Sequence, residues 1–175
     1  IIKDKRDFDK KHKPYWLKRT PYTNTLYLDS DIWAERPVYN LFELLEEFDI
    51  GVAKDPAEPH IFYTDDSLND VPESFPELNT GVIIFQKNSR TKHLFERWIS
   101  NFTPSETRDQ RPFRSAMYES EAQMTVLPSR YNCMYRELNS VNGPVKLFHG
   151  QLVDRGMNKI NIRRAVNRIN STTQR

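Results

Sequence analysis

An α/β domain built around a mostly parallel sheet is the fold class this sequence predicts, on three observations. The first is the run Thr25-Leu26-Tyr27-Leu28, which is nearly continuous in apolar residues and leads straight into two carboxylates, Asp29 and Asp31. Such a run suits a strand covered on both faces. The second is residues 82–85, Val-Ile-Ile-Phe, a further apolar run opened by Asn79-Thr80-Gly81. The third is the alternation of these runs with segments whose apolar residues recur at helical spacing.

Taken in order, residues 1–20 are mostly Lys, Arg and Asp of mixed sign, ending in the apolar cluster Tyr15-Trp16-Leu17. They read as a solvated segment leading into one helical turn, with a turn at Thr20-Pro21 before the first strand. After Asp31, Pro37 precedes Val38, Leu41, Phe42, Leu44, Leu45 and Phe48, spaced for a helix of about three turns with proline in its first turn. Asp49-Ile50-Gly51-Val52-Ala53 reads as a short strand. Residues 54–77 are rich in Pro, Asp, Glu and Ser and predict a long loop, with one short edge strand at residues 60–63. Asn88-Ser89 caps a helix that places Leu94, Phe95, Trp98 and Ile99 on one face. Asp109 or a neighbour starts a shorter helix through Arg114 and Met117. Residues 124–127 and 145–148 predict the last two strands, the second ending at His149-Gly150. The tail 151–175 is basic, with Arg155, Lys159, Arg163, Arg164, Arg168 and Arg175 opposed by Asp154 alone. Ile160, Ile162, Val166 and Ile169 offer it a ragged apolar face.

Composition narrows the function. At 175 residues and 37% hydrophobic content the chain makes one ordinary domain with a real core. A net charge of +2 is too mild to imply a nucleic-acid partner. The single cysteine, Cys133, leaves no intrachain disulfide framework and suggests a reducing compartment, so cytoplasmic localisation is the expectation. No run of about 18 apolar residues could span a bilayer.

Asp29 and Asp31 carry the sharpest chemical signal. Open α/β sheets bind ligands beyond the carboxyl ends of their strands, where these two carboxylates fall. Two acids that close repel unless a cation joins them, so a divalent metal explains the pair economically. The alternative is an Asp-Ser-Asp turn capping the next helix.

The order Leu-Tyr-Leu-Asp-Ser-Asp, Leu-Asn-Thr-Gly-Val-Ile-Ile-Phe, Asp-Gln, Leu-Pro-Ser-Arg-Tyr-Asn and Phe-His-Gly resembles metal-dependent glycosyltransferases of the GT-A fold, in the glycogenin-like and nucleotide-diphospho-sugar transferase groups. The resemblance implies an α/β sandwich that moves a sugar from a nucleotide diphosphate, a UDP-sugar here, to a glycan, protein or lipid acceptor. It implies that Asp29, Asp31 and His149 hold Mn2+ or Mg2+ on the diphosphate. It places Asn79, Thr80 and Gly81 beside the donor sugar, and Asp109 and Gln110 beside the anomeric centre. Two carboxylates and an imidazole suit manganese better than calcium. Plainer roles stand beside each: a backbone-bonded histidine for His149, a turn for Asn79-Thr80-Gly81, and a helix cap for Asp109.

In the family the nucleotide is gripped by a strand and loop well upstream of the acidic pair, whereas 28 residues precede Asp29 here. The expectation is therefore an N-terminally incomplete GT-A-like domain over residues 1–150, followed by the basic tail 151–175 as a contact for an anionic acceptor or a membrane face. The rivals are a phosphatase of the haloacid dehalogenase type and a catalytically inactive sugar-nucleotide-binding domain. The first also spaces two aspartates two apart after a strand, but Trp33 stands where it wants Thr or Val.

Overall fold

Strand β4, Leu78–Gln86, is the spine of the molecule, buried along its length except at Gln86. The computed structural model of the chain describes residues 12–56, 71–103, 108–134, 141–150 and 159–172. Around β4 lie β1 (Asn24–Leu28), β3 (Ile50–Lys54) and β5 (Met124–Leu127), in the order β1-β4-β3-β5. A second, smaller sheet takes β2 (Ile32–Ala34), β6 (Cys133–Met134) and β7 (Leu147–His149) in the order β2-β7-β6.

Side chains alternate along β4 and so divide the core into two layers. Ile83 and Phe85, with Ile50 and Val52 of β3, pack against Leu94, Phe95 and Trp98 of helix α2 (Ser89–Ser100) and Phe113 and Met117 of helix α3 (Gln110–Tyr118). Val82 and Ile84 face the other way, onto Leu41, Leu45, Leu127, Tyr131 and Leu147. Helix α2 starts where the sequence placed it: the Asn88 side chain accepts from the Thr91 amide at 3.0 Å and the Thr91 hydroxyl accepts from the Asn88 amide at 3.1 Å.

Several expectations are revised. The sheet is mixed: β4 runs antiparallel to both β1 and β3, while β3–β5 and β6–β7 are parallel. Strand β1 is half-buried and stands at the edge of the described sheet. Its polar atoms account for this, because Thr25 bonds Thr20 at 3.0 Å and the Tyr27 hydroxyl bonds Asp29 at 2.6 Å, whereas β4 is apolar on both faces. Asn79, Thr80 and Gly81 lie inside β4 rather than in a turn before it. The segment 38–48 holds a 3-10 helix, Tyr39–Glu46, in place of the three-turn α-helix; Val38 at its start offers no capping side chain, and Leu41 and Leu44, three apart, share the tighter helix's inner edge. The edge strand expected at residues 60–63 lies outside the described residues.

The tail carries helix α4, Lys159–Thr172, which lays Val166 and Ile169 on Cys133, Val145 and Phe148. The Asn170 side chain accepts from the Val145 amide at 2.7 Å and donates to the Val145 carbonyl at 3.5 Å. No helix of the described residues is long and apolar enough to cross a membrane.

Asp49, 2% exposed, fastens β3 to two neighbouring elements. Its carboxylate accepts from Arg90 (2.6 and 2.7 Å), Asn88 (2.6 Å) and the Gln123 amide (2.8 Å). Burial alone would raise this carboxyl's pKa, but the bonds from Arg90, Gln123 and Asn88 outweigh it and hold the group below its ordinary value. A carboxyl depressed in the folded state adds stability that is fully present above the unfolded value, about 3.9, and is lost as pH falls through the folded value. Asp49→Asn is expected to lower the unfolding free energy by about 1–3 kcal/mol at neutral pH. In urea melts taken from about pH 5 down to about pH 3, the gap between variant and wild type should narrow.

Candidate active site

The two sheets meet at Asp29-Ser30-Asp31, the link from the end of β1 to the start of β2. The Asp29 amide donates to the Gly81 carbonyl at 2.8 Å, and the Asp31 carbonyl accepts from the Gly150 amide at 3.2 Å, so each aspartate is pinned to a different sheet. The register of β2 on β7 sets Ile32 opposite His149 and brings the imidazole to the acidic pair. One ligand atom from each of Asp29, Asp31 and His149 lies within 4.8 Å of the other two.

This donor set fits a divalent ion. Ligands on opposite sides of one such ion stand about 4 to 4.6 Å apart, close to the spacing present. The imidazole is also prepared for the task. His149 Nδ1 lies 2.8 Å from the Asn132 side-chain oxygen, which can only accept, so Nδ1 carries a proton and Nε2 is the nitrogen turned toward Asp31, 3.4 Å away. Asn132 is 1% exposed and belongs to the Leu-Pro-Ser-Arg-Tyr-Asn run, but nothing in the sequence showed that it orients the histidine.

Gly81 sits under that ring. A Cβ at this position would lie 2.2 Å from His149 Cε1 and 2.7 Å from Nδ1, so only glycine admits the imidazole. The register supports the approach: Val52 pairs with Ile83 while Ala53 pairs with Asn79, leaving Thr80, Gly81 and Val82 as a bulge in β4.

Lys13, on the short helix α1 (His12–Leu17), joins the metal-type cluster to the Asp109 side of the site. Its ammonium lies 3.0 Å from Asp29, 2.5 Å from Asp109, and 3.3 Å from both the carbonyl and hydroxyl oxygens of Thr80. It also stands 5.2 Å from the centre of the Tyr27 ring. Burial, reinforced by the Asp29 hydrogen bond and the nearby carboxylates, raises the Tyr27 pKa far above its ordinary value, so the hydroxyl stays a donor to Asp29. Sequence reasoning missed Lys13 because it lies in a charged stretch without periodicity. Asp109 occupies the position before α3 but makes no side-chain cap; its carboxylate serves Lys13 instead.

Gln110, Asn79 and Asp55 form an adjoining group, with Asn79 and Asp55 buried and Gln110 half-buried. Asp55 Oδ2 accepts from the Gln110 amide at 2.5 Å and the Asn79 amide at 3.0 Å, and Asn79 Oδ1 accepts from the Gly81 amide at 3.0 Å. Asn79 is thus 4% exposed and engaged within the protein at both ends of its side chain. Asp55, also not foreseen, fixes both amides.

A polar cluster at the strand ends of a mixed α/β sandwich defines a class of proteins that bind their ligand beyond the sheet. Residues 23–161 match the model of the nucleotide-diphospho-sugar transferase family, and the chain belongs to that family. Solved glycosyltransferases share its GT-A fold. The galactosyltransferase LgtC, crystallised with donor and acceptor sugar analogs, is 14% identical with a TM-score of 0.62, over 87% of this chain and 64% of that one. Mouse xyloside xylosyltransferase 1 is 20% identical with a TM-score of 0.54, over 79% of this chain and 62% of that one. GlyE of Streptococcus pneumoniae is 19% identical with a TM-score of 0.51, over 87% and 39%. The chain therefore spans less than two thirds of the length of these relatives. No curated protein matches it.

Asn132→Ala removes the acceptor that sets the His149 tautomer, and Gly81→Ala displaces the ring. Each is expected to weaken Mn2+ binding by about 10- to 100-fold, the usual cost of losing support around a metal ligand. Electron paramagnetic resonance of free Mn2+ measures this, with circular dichroism checking that the fold persists.

Proposed function

We propose that this chain transfers a sugar from a nucleotide-diphosphate donor, a UDP-sugar, to a glycan, protein or lipid acceptor, and that it needs a divalent metal, Mn2+ or Mg2+, to do so. The observation that carries the reading is the convergence of Asp29, Asp31 and His149 within 4.8 Å at the junction of the two sheets, with His149 Nε2 turned toward the acidic pair.

Breaking the bond from the anomeric carbon to the diphosphate gathers negative charge on the departing phosphate and positive charge on the sugar. A metal held by Asp29, Asp31 and His149 would supply Lewis-acid stabilisation to that phosphate. The chain's own residues supply the rest. Lys13 fixes Asp29 and Asp109 in one arrangement and offsets their mutual repulsion. Asp55 turns the Gln110 amide nitrogen inward, so the Gln110 carbonyl oxygen is the end free to face a sugar carbon as it becomes electron-poor. Asp109 adds a second negative charge on that side.

Purified protein incubated with a panel of UDP-sugars should release UDP only when Mn2+ or Mg2+ is present. Asp31→Asn and His149→Ala should each lower that release by about 100-fold, comparable to losing a metal ligand or its support. Release of phosphate from a phosphomonoester instead would point to the phosphatase reading. Metal-dependent UDP binding with no turnover on any donor would leave a binding domain.

A further inference from the structure

Away from the acidic site, Arg130 and Lys146 stand by Tyr131 and Arg36 adjoins Lys146, with no carboxylate partner for any of the three among the described residues. The Lys146 carbonyl accepts from the Arg36 amide at 3.2 Å, and the Lys146 amide donates to the Arg130 carbonyl at 2.8 Å, so the three residues are neighbours through the backbone. The Arg130 guanidinium lies 5.4 Å and the Lys146 ammonium 5.1 Å from the centre of the Tyr131 ring. Among the described residues none of the three makes an ion pair.

Two of these cations are also unsatisfied. Arg36 Nε and Arg130 Nε are buried and have no hydrogen-bond acceptor, a costly state for a charged donor. Gly143, at φ +86°, passes close over the Arg130 guanidinium; a Cβ there would stand 3.2 Å from Nη1. On the open side Lys146 donates to the Asn40 carbonyl oxygen at 3.2 Å in an exposed hydrogen bond, and the Asn40 amide donates to the Tyr131 hydroxyl at 2.5 Å. Burial alone would raise the Tyr131 pKa, but the Asn40 and Lys146 hydrogen bonds and the charges of Lys146 and Arg130 outweigh it and lower the value. The hydroxyl therefore reports a local field that favours negative charge.

We propose that Arg36, Arg130 and Lys146 form a binding site for a phosphate group, distinct from the metal-type cluster. Guanidinium N–H groups left without an acceptor, beside an ammonium on the adjoining backbone, suit a tetrahedral, multiply charged oxyanion better than a planar carboxylate, which one guanidinium would satisfy. The site stands at the Ala34–Leu147 end of the β2–β7 pair, while Asp31 and His149 stand at the other. Tyr131 is followed directly by Asn132, the partner of His149, so the phosphate would be held on the same loop that orients the imidazole. Free phosphate and the phosphate of a ligand such as an anionic acceptor share this chemistry.

The site is tested without divalent metal, so that the acidic cluster takes no part and the outcome does not depend on glycosyl transfer. Inorganic phosphate and glycerol phosphate are titrated into the protein at fixed ionic strength, followed by amide chemical shifts and by the rise in melting temperature. Wild type is expected to saturate, with the shifts centred on residues 36, 130–131 and 146. Arg130→Gln combined with Lys146→Met, which keeps the apolar stem over Tyr131, should weaken binding by roughly tenfold or more. Arg36→Gln alone provides a milder variant should the double one fold poorly. Lys92→Gln removes an exposed charge on α2, and His149→Ala removes the metal-type imidazole; both should bind phosphate as wild type does. Tighter binding of the ester than of inorganic phosphate would identify a ligand-borne group, and the reverse a free anion. Absence of saturation, or equal weakening by Lys92→Gln, would overturn the assignment.

Discussion

The close approach of the His149 ring to the Gly81 backbone is the contact on which the acidic site depends. Here a residue of the small sheet comes so near a strand of the large one that no side chain fits between them. Were the sheets farther apart by the width of a methyl group, the imidazole would leave Asp31 while Asp29 stayed with β4 through its bond to the Gly81 carbonyl. The bulge at residues 80–82 provides this closeness by lifting β4 out of its ladder with β3 at that point alone. Irregularity in the most buried strand is thus what makes room for chemistry, as bulges beside functional sites commonly do.

Around that contact, charge is arranged so that no carboxylate stands alone. Asp29 has Tyr27 and Lys13, Asp109 has Lys13, Asp31 faces His149, and Asp55 holds two amides. Four acids in one region would repel strongly in a low-dielectric setting. The ammonium of Lys13, reached by two of them, the Tyr27 hydroxyl on Asp29 and the two amides on Asp55 are what let the cluster persist on a rigid scaffold.

Much of this was legible in the sequence. The apolar run of β4, the Asn88 cap of α2 and the acidic pair at the end of β1 are local signals, each written in adjacent residues, and they stand where expected. The ordered run of motifs likewise pointed to the family that residues 23–161 match. What could not be read was decided by pairing. Leu26 and Tyr27 look as buried as Ile83 and Ile84, and only the sheet order shows that β1 takes the edge while β4 takes the centre. Asp109 has the residue type and position of a helix cap, yet an ammonium 96 residues upstream in the chain claims its carboxylate. Lys13 carries no local pattern, and the motif that contains Asn132 does not show what its side chain does; their roles come from the partners the fold brings to them.

Asn170 shows a side chain doing the work of a strand. At Val145 the ladder of the small sheet has run out, and a further peptide would ordinarily be needed to satisfy both the N–H and the C=O. The carboxamide of Asn170, which carries the same two groups in the same plane, takes that place from helix α4. The tail helix thus satisfies both backbone groups of Val145 as well as covering apolar surface, and it does so through one residue whose shape imitates the main chain.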